Sequence, residues 1–135
     1  MSRSPRRRPA RSTRQQRRAT SRQLARQQDV LRVLLAQRGE PLAVDVLAER
    51  VGVSERTVER DLERIRSARL PLRGRGGSGG GVWLDVTRAR TALTLSDEQV
   101  MALLLVVDEL DAELPETLAQ ARDTLRSQLA EPRLF

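Results

Sequence analysis

The run Ser54-Glu55-Arg56-Thr57-Val58-Glu59-Arg60-Asp61-Leu62-Glu63-Arg64 concentrates the groups best suited to recognition chemistry in this 135-residue chain. Arg56 and Arg60 stand four residues apart, so on a helix they are neighbours on one face. A guanidinium presents a planar fork of donors that can grip guanine or phosphate at two points. Ser54, Glu55 and Thr57 fall at the N-terminus of such a helix, the end that usually meets bases or phosphate. A second cluster is Arg73-Gly74-Arg75-Gly76-Gly77-Ser78-Gly79-Gly80-Gly81, which holds six of the eight glycines. Glycines let a main chain approach phosphate closely, and arginine is favoured in a narrow minor groove. Each cluster also has a plainer reading. Arg56, Arg60 and Arg64 can pair with Glu59, Asp61 and Glu63 on a solvated surface, and the glycine run can be a flexible hairpin that touches nothing.

Other chemistries are closed by composition. All 25 basic residues are arginine, and there is no His, Cys, Lys or Tyr. Thiolate and imidazole metal ligands, disulfides, the triad base and the commonest general acid/base are therefore missing. No catalytic, cofactor-binding or metal-binding residue can be nominated, and the expectation is a protein that is not an enzyme. A phosphate loop of the NTPase type needs G-x-x-x-x-G-K-[ST], and the chain has no lysine. With one Trp, one Phe and no Tyr, stacking platforms for single strands or RNA are absent too. Trp83, between Val82 and Leu84, is expected to pack in the core or against the hairpin.

The elements around the two clusters follow from periodicity. A first helix is expected over 21–38, with Leu24, Leu31, Leu34 and Leu35 on one face, Val30 beside them, and Gly39 as the stop. Glu40-Pro41 is read as a connection. A short helix covers roughly 43–51, with Val44, Leu47 and Ala48 inward. Gly52-Val53-Ser54 forms a tight turn, and Ser54 is a good N-cap for a third helix over 55–68. At ~100° per residue, Val58, Leu62 and Ile65 make its inward stripe, and Arg56 and Arg60 lie opposite. Two short apolar runs, Leu70-Pro71-Leu72 and Val82-Trp83-Leu84, flank the glycine tip and read as a β-hairpin. Helix, short helix, turn, helix and hairpin in that order make a winged helix-turn-helix, whose last helix enters the major groove while the wing touches backbone or minor groove. A fourth helix starts at the capping box Ser96-Asp97-Glu98-Gln99. Pro115 opens a fifth, with Leu118, Ala121, Leu125 and Leu129 in a stripe. The fold class is thus mainly α: three helices and a hairpin wing, followed by two C-terminal helices.

Leu47-Ala48-Glu49-Arg50-Val51-Gly52-Val53-Ser54-Glu55-Arg56-Thr57-Val58-Glu59-Arg60-Asp61-Leu62 resembles the helix-turn-helix of DeoR-type (HTH type 11) and WYL-domain transcriptional regulators of bacteria. Gly79-Gly80-Gly81-Val82-Trp83-Leu84 is similar to their wing strand. Leu93-Thr94-Leu95-Ser96-Asp97-Glu98-Gln99, with Ala102 to Leu105, is similar to the segment that WYL regulators place after the wing. The resemblance covers about residues 27–130 and implies DNA contacts at Ser54, Arg56, Thr57 and Arg60. Glu59 departs from the Arg or aromatic residue usual there, and Val82 from the usual wing Tyr. The sequence ends where the WYL sensing domain would begin. The expectation is therefore a truncated or split regulator, or one that senses nothing by that route.

Charge is distributed in blocks. Residues 1–28 hold ten arginines and no acid, residues 29–90 twelve arginines and nine acids, and residues 91–135 three arginines and nine acids. The expected organisation is a disordered Arg-rich arm (1–20), a DNA-binding domain (21–85), a linker (86–94), a helical segment for packing or dimerisation (95–130) and a tail (131–135). The arm lacks the apolar stretch of a secretory signal, and no run approaches the ~18 apolar residues of a membrane span. A cytoplasmic, nucleoid-associated protein with no membrane contact is expected. Residues 100–107 are apolar at every position and need partners, either within the chain, in a homodimer, or on a heteropartner. The reading is a sequence-specific regulator that binds double-stranded DNA through Ser54, Glu55, Arg56, Thr57, Arg60 and Arg64, with Arg73 and Arg75 on the wing. Two alternatives stand beside it. One is an architectural nucleic-acid binder driven by the arm; the other is an adaptor using helices 96–130.

Overall fold

A glycine makes the turn on which the first unit is organised. In the computed structural model, which describes residues 10–86, 94–110 and 114–130, Gly52 adopts φ 81°, a left-handed conformation that favours glycine. Its N–H donates to the Ala48 carbonyl at 2.8 Å, and that of Val53 donates to the same oxygen at 3.1 Å. This ends α2 (Val44–Val51) and redirects the chain into α3 (Glu55–Ser67). The elements run α1 (Ala10–Ala36), α2, α3, β1 (Leu72–Arg75), β2 (Gly81–Leu84), α4 (Asp97–Asp108) and α5 (Glu116–Ala130). The fold is mainly helical, a winged helix-turn-helix with two further helices. The chain divides into two units, Arg26–Ala92, and Met1–Ala25 with Leu93–Phe135.

In the first unit, Val30 and Leu34 of α1, Leu47 and Ala48 of α2, and Val58, Leu62 and Ile65 of α3 form one apolar core with Leu42, Leu72, Val82 and Leu84. Burying each of the Val, Leu and Ile side chains contributes about 1.5–3 kcal/mol. The inward stripe of α3 is the expected one. That of α1 is shifted: Val30 and Leu34, four apart, are fully buried, while Leu35 is 53% exposed. One step along a helix turns a side chain by about 100°, which takes Leu35 off the inner row.

The hairpin pairs Leu72 with Leu84 and Arg75 with Gly81 in antiparallel register. Leu42 joins it as a third edge: its N–H and that of Val82 each donate to the other's carbonyl at 2.9 Å. The Glu40-Pro41 connection therefore leads directly into a bridge to the wing. Val82 and Leu84 point to the core, whereas Trp83 is half-buried on the other face, across from Arg73.

In the second unit, the expected capping box forms. Ser96 Oγ accepts from the Gln99 N–H at 3.2 Å, and Gln99 Oε1 accepts from the Ser96 N–H at 2.9 Å. Of α4, Val100 alone is buried, and α5 has no buried residue. Asp108 and Arg126 approach to 3.9 Å, and Arg17 reaches Glu109 at 2.9 Å.

The helix start corrects an expectation. Residues 10–20, expected to be disordered, are the first turns of α1. No Gly or Pro lies between Pro9 and Gly39. Arg, Gln and Ala are good helix formers, so a helix nucleated downstream propagates through them at little cost per residue. Residues 1–9, most of the expected linker (87–93) and the tail (131–135) lie outside the described residues. Among the described residues, no helix is long and apolar enough to cross a membrane.

Gly81 is a point of close approach between the hairpin and the segment that leads into α2. It adopts φ 148°, and a Cβ there would run into the Leu42 carbonyl group. Gly81→Ala is expected to destabilise the protein by about 1–3 kcal/mol. Gly76→Ala, facing open space at ordinary φ, is expected to change stability by at most ~0.5 kcal/mol. Urea titration of both variants checks the contrast.

Candidate nucleic-acid interface

The site begins at the entrance to α3. Ser54 is its N-cap, with Oγ accepting from the Thr57 N–H at 3.2 Å and lying 2.9 Å from Thr57 Oγ1. The cap satisfies one of the helix's open donors. It also engages the Ser54 and Thr57 hydroxyls with each other. Glu55 occupies the first turn, where the positive end of the helix dipole favours an acid.

Beyond the cap, Arg56, Arg60 and Arg64 are exposed, on the side of α3 away from Val58, Leu62 and Ile65. The salt-laced alternative required them to pair with Glu59, Asp61 and Glu63. Among the described residues none of the three makes an ion pair. Glu63 instead lies 3.6 Å from Arg66, and Asp61 turns inward. Arg56, Arg60 and Arg64 therefore present free guanidinium groups to solvent.

The wing arginines separate in character. Arg73 lies 3.9 Å from Asp85, an exposed pair of small worth, and stands across from Trp83. Arg75 makes no ion pair among the described residues. It lines an open cleft of about 420 Å³ beside the tip end of the hairpin, with Arg66, Gly74, Gly81 and Val44. Ala43 gives α2 no side-chain cap at this end. The structure thus brings Arg75 beside Arg66, a residue that sequence reasoning did not select.

Sequence reasoning also missed Asp61. Its side chain is 0% exposed. Oδ2 accepts from Arg26 Nε at 2.5 Å and Oδ1 from Arg26 Nη2 at 2.9 Å, a two-point fork. Gln27 Nε2 adds a longer bond to Oδ1 at 3.4 Å. A signal existed. Asp61 stands three residues after Val58 and four before Ile65, so helical phase puts it beside the inward stripe. Arg26 likewise stands four residues before Val30, on the buried row of α1. The hydrogen bonds it donates to Asp61 hold the Arg26 guanidinium above its ordinary pKa, against a smaller opposing effect of burial. Arg26 remains a cation at every working pH.

Against known proteins, residues 26–81 match the family model described as an HTH domain. The match lies within the expected 21–85 and includes α2, α3, β1 and the first residue of β2. Residues 26–81 are thus a helix-turn-helix region, and the match supports a DNA-binding regulator in general terms. No solved structure matches the chain.

The fork makes an asymmetric prediction. Arg26→Ala strands a carboxylate with no access to water and is expected to cost about 3–5 kcal/mol. Asp61→Ala leaves an Arg26 side chain that is already 30% exposed and can turn to solvent, so its cost is expected to be smaller. Glu63→Ala, on the exposed side, is expected to stay within ~0.5 kcal/mol. Chemical denaturation of the three variants should rank them in that order; equal losses for Arg26→Ala and Glu63→Ala would refute the assignment.

Proposed function

We propose that the chain is a sequence-specific, double-stranded DNA-binding transcriptional regulator without catalytic activity. The observation that carries this reading is the outer face of α3, where Arg56, Arg60 and Arg64 stand exposed, with no ion pair among the described residues, opposite a buried stripe. In this reading α3 lies in the major groove, and Arg56 and Arg60 meet base edges. Glu55 and Thr57 flank them at the helix entrance, and Ser54 sets that entrance by capping it. Arg64 meets the backbone further along. Arg75 and Arg73 place the wing on backbone or minor groove, and Arg66 adds a phosphate contact beside the tip end of the hairpin. The first turns of α1 are rich in Arg and carry no acid, an arrangement unfavourable to the helix dipole that a nearby polyanion relieves. Similarity of 93–99 to the segment after the wing of WYL regulators favours that branch of the DeoR-type proteins, and with it a cytoplasmic, nucleoid-associated setting.

Base reading and phosphate contact respond differently to mutation. Arg60→Ala is expected to lose about 1–3 kcal/mol on a duplex selected from a random library and much less on random duplex. Removal of residues 1–20 should weaken binding to both and flatten the salt dependence by about 0.9 log units per lost phosphate contact. Fluorescence anisotropy titrations at several salt concentrations measure both effects. Equal losses on the two duplexes for Arg60→Ala would sink the base-reading role.

A second copy of the chain is the proposed partner for α4. Leu105 is 71% and Val106 64% exposed, with Met101 and Leu103 about half exposed. Helix-turn-helix proteins commonly read two half-sites as dimers, and two weak contacts joined in one body bind far more tightly than either alone. Sedimentation is expected to give a dimer for the wild type and a folded monomer for a Leu105→Glu/Val106→Glu variant. A variant that stays dimeric would overturn the assignment of α4 to the interface.

A further inference from the structure

The Asp61–Arg26 fork sits directly behind the residue proposed to read bases. Asp61 follows Arg60 in sequence, and the two point to opposite sides of α3: Arg60 to solvent, Asp61 into the unit against α1. We infer that Arg26 and Asp61 are positioning residues for DNA reading, a lock that fixes the roll of α3 about its own axis and so sets base selectivity. This inference rests on the base-reading role proposed above for α3.

Val58, Leu62 and Ile65 hold α3 by apolar burial, which is non-directional and changes slowly as a helix rolls. The Asp61 fork is directional. Both carboxylate oxygens are held by two nitrogens of one planar group, and Gln27 from the same helix reaches one of them. With side chains a helix has a radius of about 5–6 Å, so a roll of about 20° displaces an outer tip by roughly 2 Å. Hydrogen bonds to base edges span only about 2.7–3.2 Å, and a site tolerates about 0.5 Å of error. A roll that the apolar stripe tolerates is therefore large enough to remove the Arg60 contact. Phosphate contacts, made to a continuous negative surface by long flexible side chains, survive such a roll. The fork thus bears on discrimination far more than on gross affinity.

The test replaces the lock without opening the core. An apolar pair of similar size in place of a buried ion pair commonly leaves a fold as stable as before or more so. Arg26→Met/Asp61→Leu is therefore compared with wild type on the duplex selected by wild type and on random duplex. The expected result is a preference for the selected duplex reduced about tenfold or more, with random-duplex affinity within about threefold and the urea midpoint unchanged or raised. Arg26→Lys, which keeps the charge but loses the planar fork, is expected to fall between the two, and it serves as the variant should the double change unfold the protein. A folded double variant, or failing that a folded Arg26→Lys, with wild-type preference overturns the inference.

A readout without DNA separates this inference from the function on which it rests. The chain has no cysteine, so Arg32→Cys and Glu59→Cys place two spin labels, one on α1 and one on the outer side of α3. The interlabel distance distribution is expected to be narrow with the native pair and to broaden or shift with the apolar pair. A wild type that enriches no duplex would defeat base reading while leaving the roll lock to stand or fall on these distances. An unchanged distribution would overturn the lock even if base reading holds.

Discussion

One ion pair constrains the DNA-binding unit more than any other contact in it. Asp61 carries its charge to a position with no exposure to water. Burying a carboxylate costs several kcal/mol, recovered only where the partner geometry is good. That requirement propagates outward. Arg26 must lie on the inner row of α1, one turn before Val30, and α1 must pass α3 at the height of Asp61. The apolar core accommodates these demands because Val30, Leu34, Val58, Leu62 and Ile65 pack over a range of angles at similar cost. The pair is therefore weak evidence for stability and strong evidence for orientation.

The wing is held by a different constraint. Leu42 and Val82 exchange both main-chain hydrogen bonds, and Gly81 leaves no room for a side chain against Leu42. The segment that enters α2 is thereby an edge of the hairpin sheet. Arg75 and Arg66 line one cleft beside the tip end of that sheet, together with Val44 at the start of α2. α3 and the wing are thus held by different residues, one through the side-chain charges of Arg26 and Asp61 and the other through the backbone pairing of Leu42 and Val82.

Local signals were legible in the sequence because their chemistry is local. The tight turn Gly52-Val53-Ser54, Ser54 as an N-cap, the Ser96/Gln99 box and the glycine-tipped hairpin each depend on residues within a few positions of one another. The inward stripe of α3 was legible for the same reason. What escaped depends on partners far along the chain. Asp61 looked like one more acid among Glu59 and Glu63 until Arg26, 35 residues away, was brought beside it. Leu42, next to the Glu40-Pro41 connection, carried no signal of its own because bridge formation needs Val82. The start of α1 was misplaced for a compositional reason. Arg-rich sequence satisfies the signature of disorder, yet Arg and Gln have high helix propensity, and no Gly or Pro interrupts 10–38. Of the candidate site, the exposed arginines of α3 were legible; the arrangement that aims them was not.

The block pattern of charge has a physical consequence for any DNA-bound state. The C-terminal block, with nine acids against three arginines, would be repelled by phosphate if it lay along a duplex, whereas the ten arginines of residues 1–28 would be attracted. Repulsion of this kind falls off over about a Debye length, roughly 8–10 Å at physiological salt, so it disfavours only poses that bring α4 and α5 close to the backbone. Those poses are also the ones that would leave the exposed apolar side chains of α4 against a polar, hydrated surface. Electrostatics and the hydrophobic effect therefore favour the same division of labour: arginine-bearing faces toward phosphate, and Leu105 and Val106 toward protein.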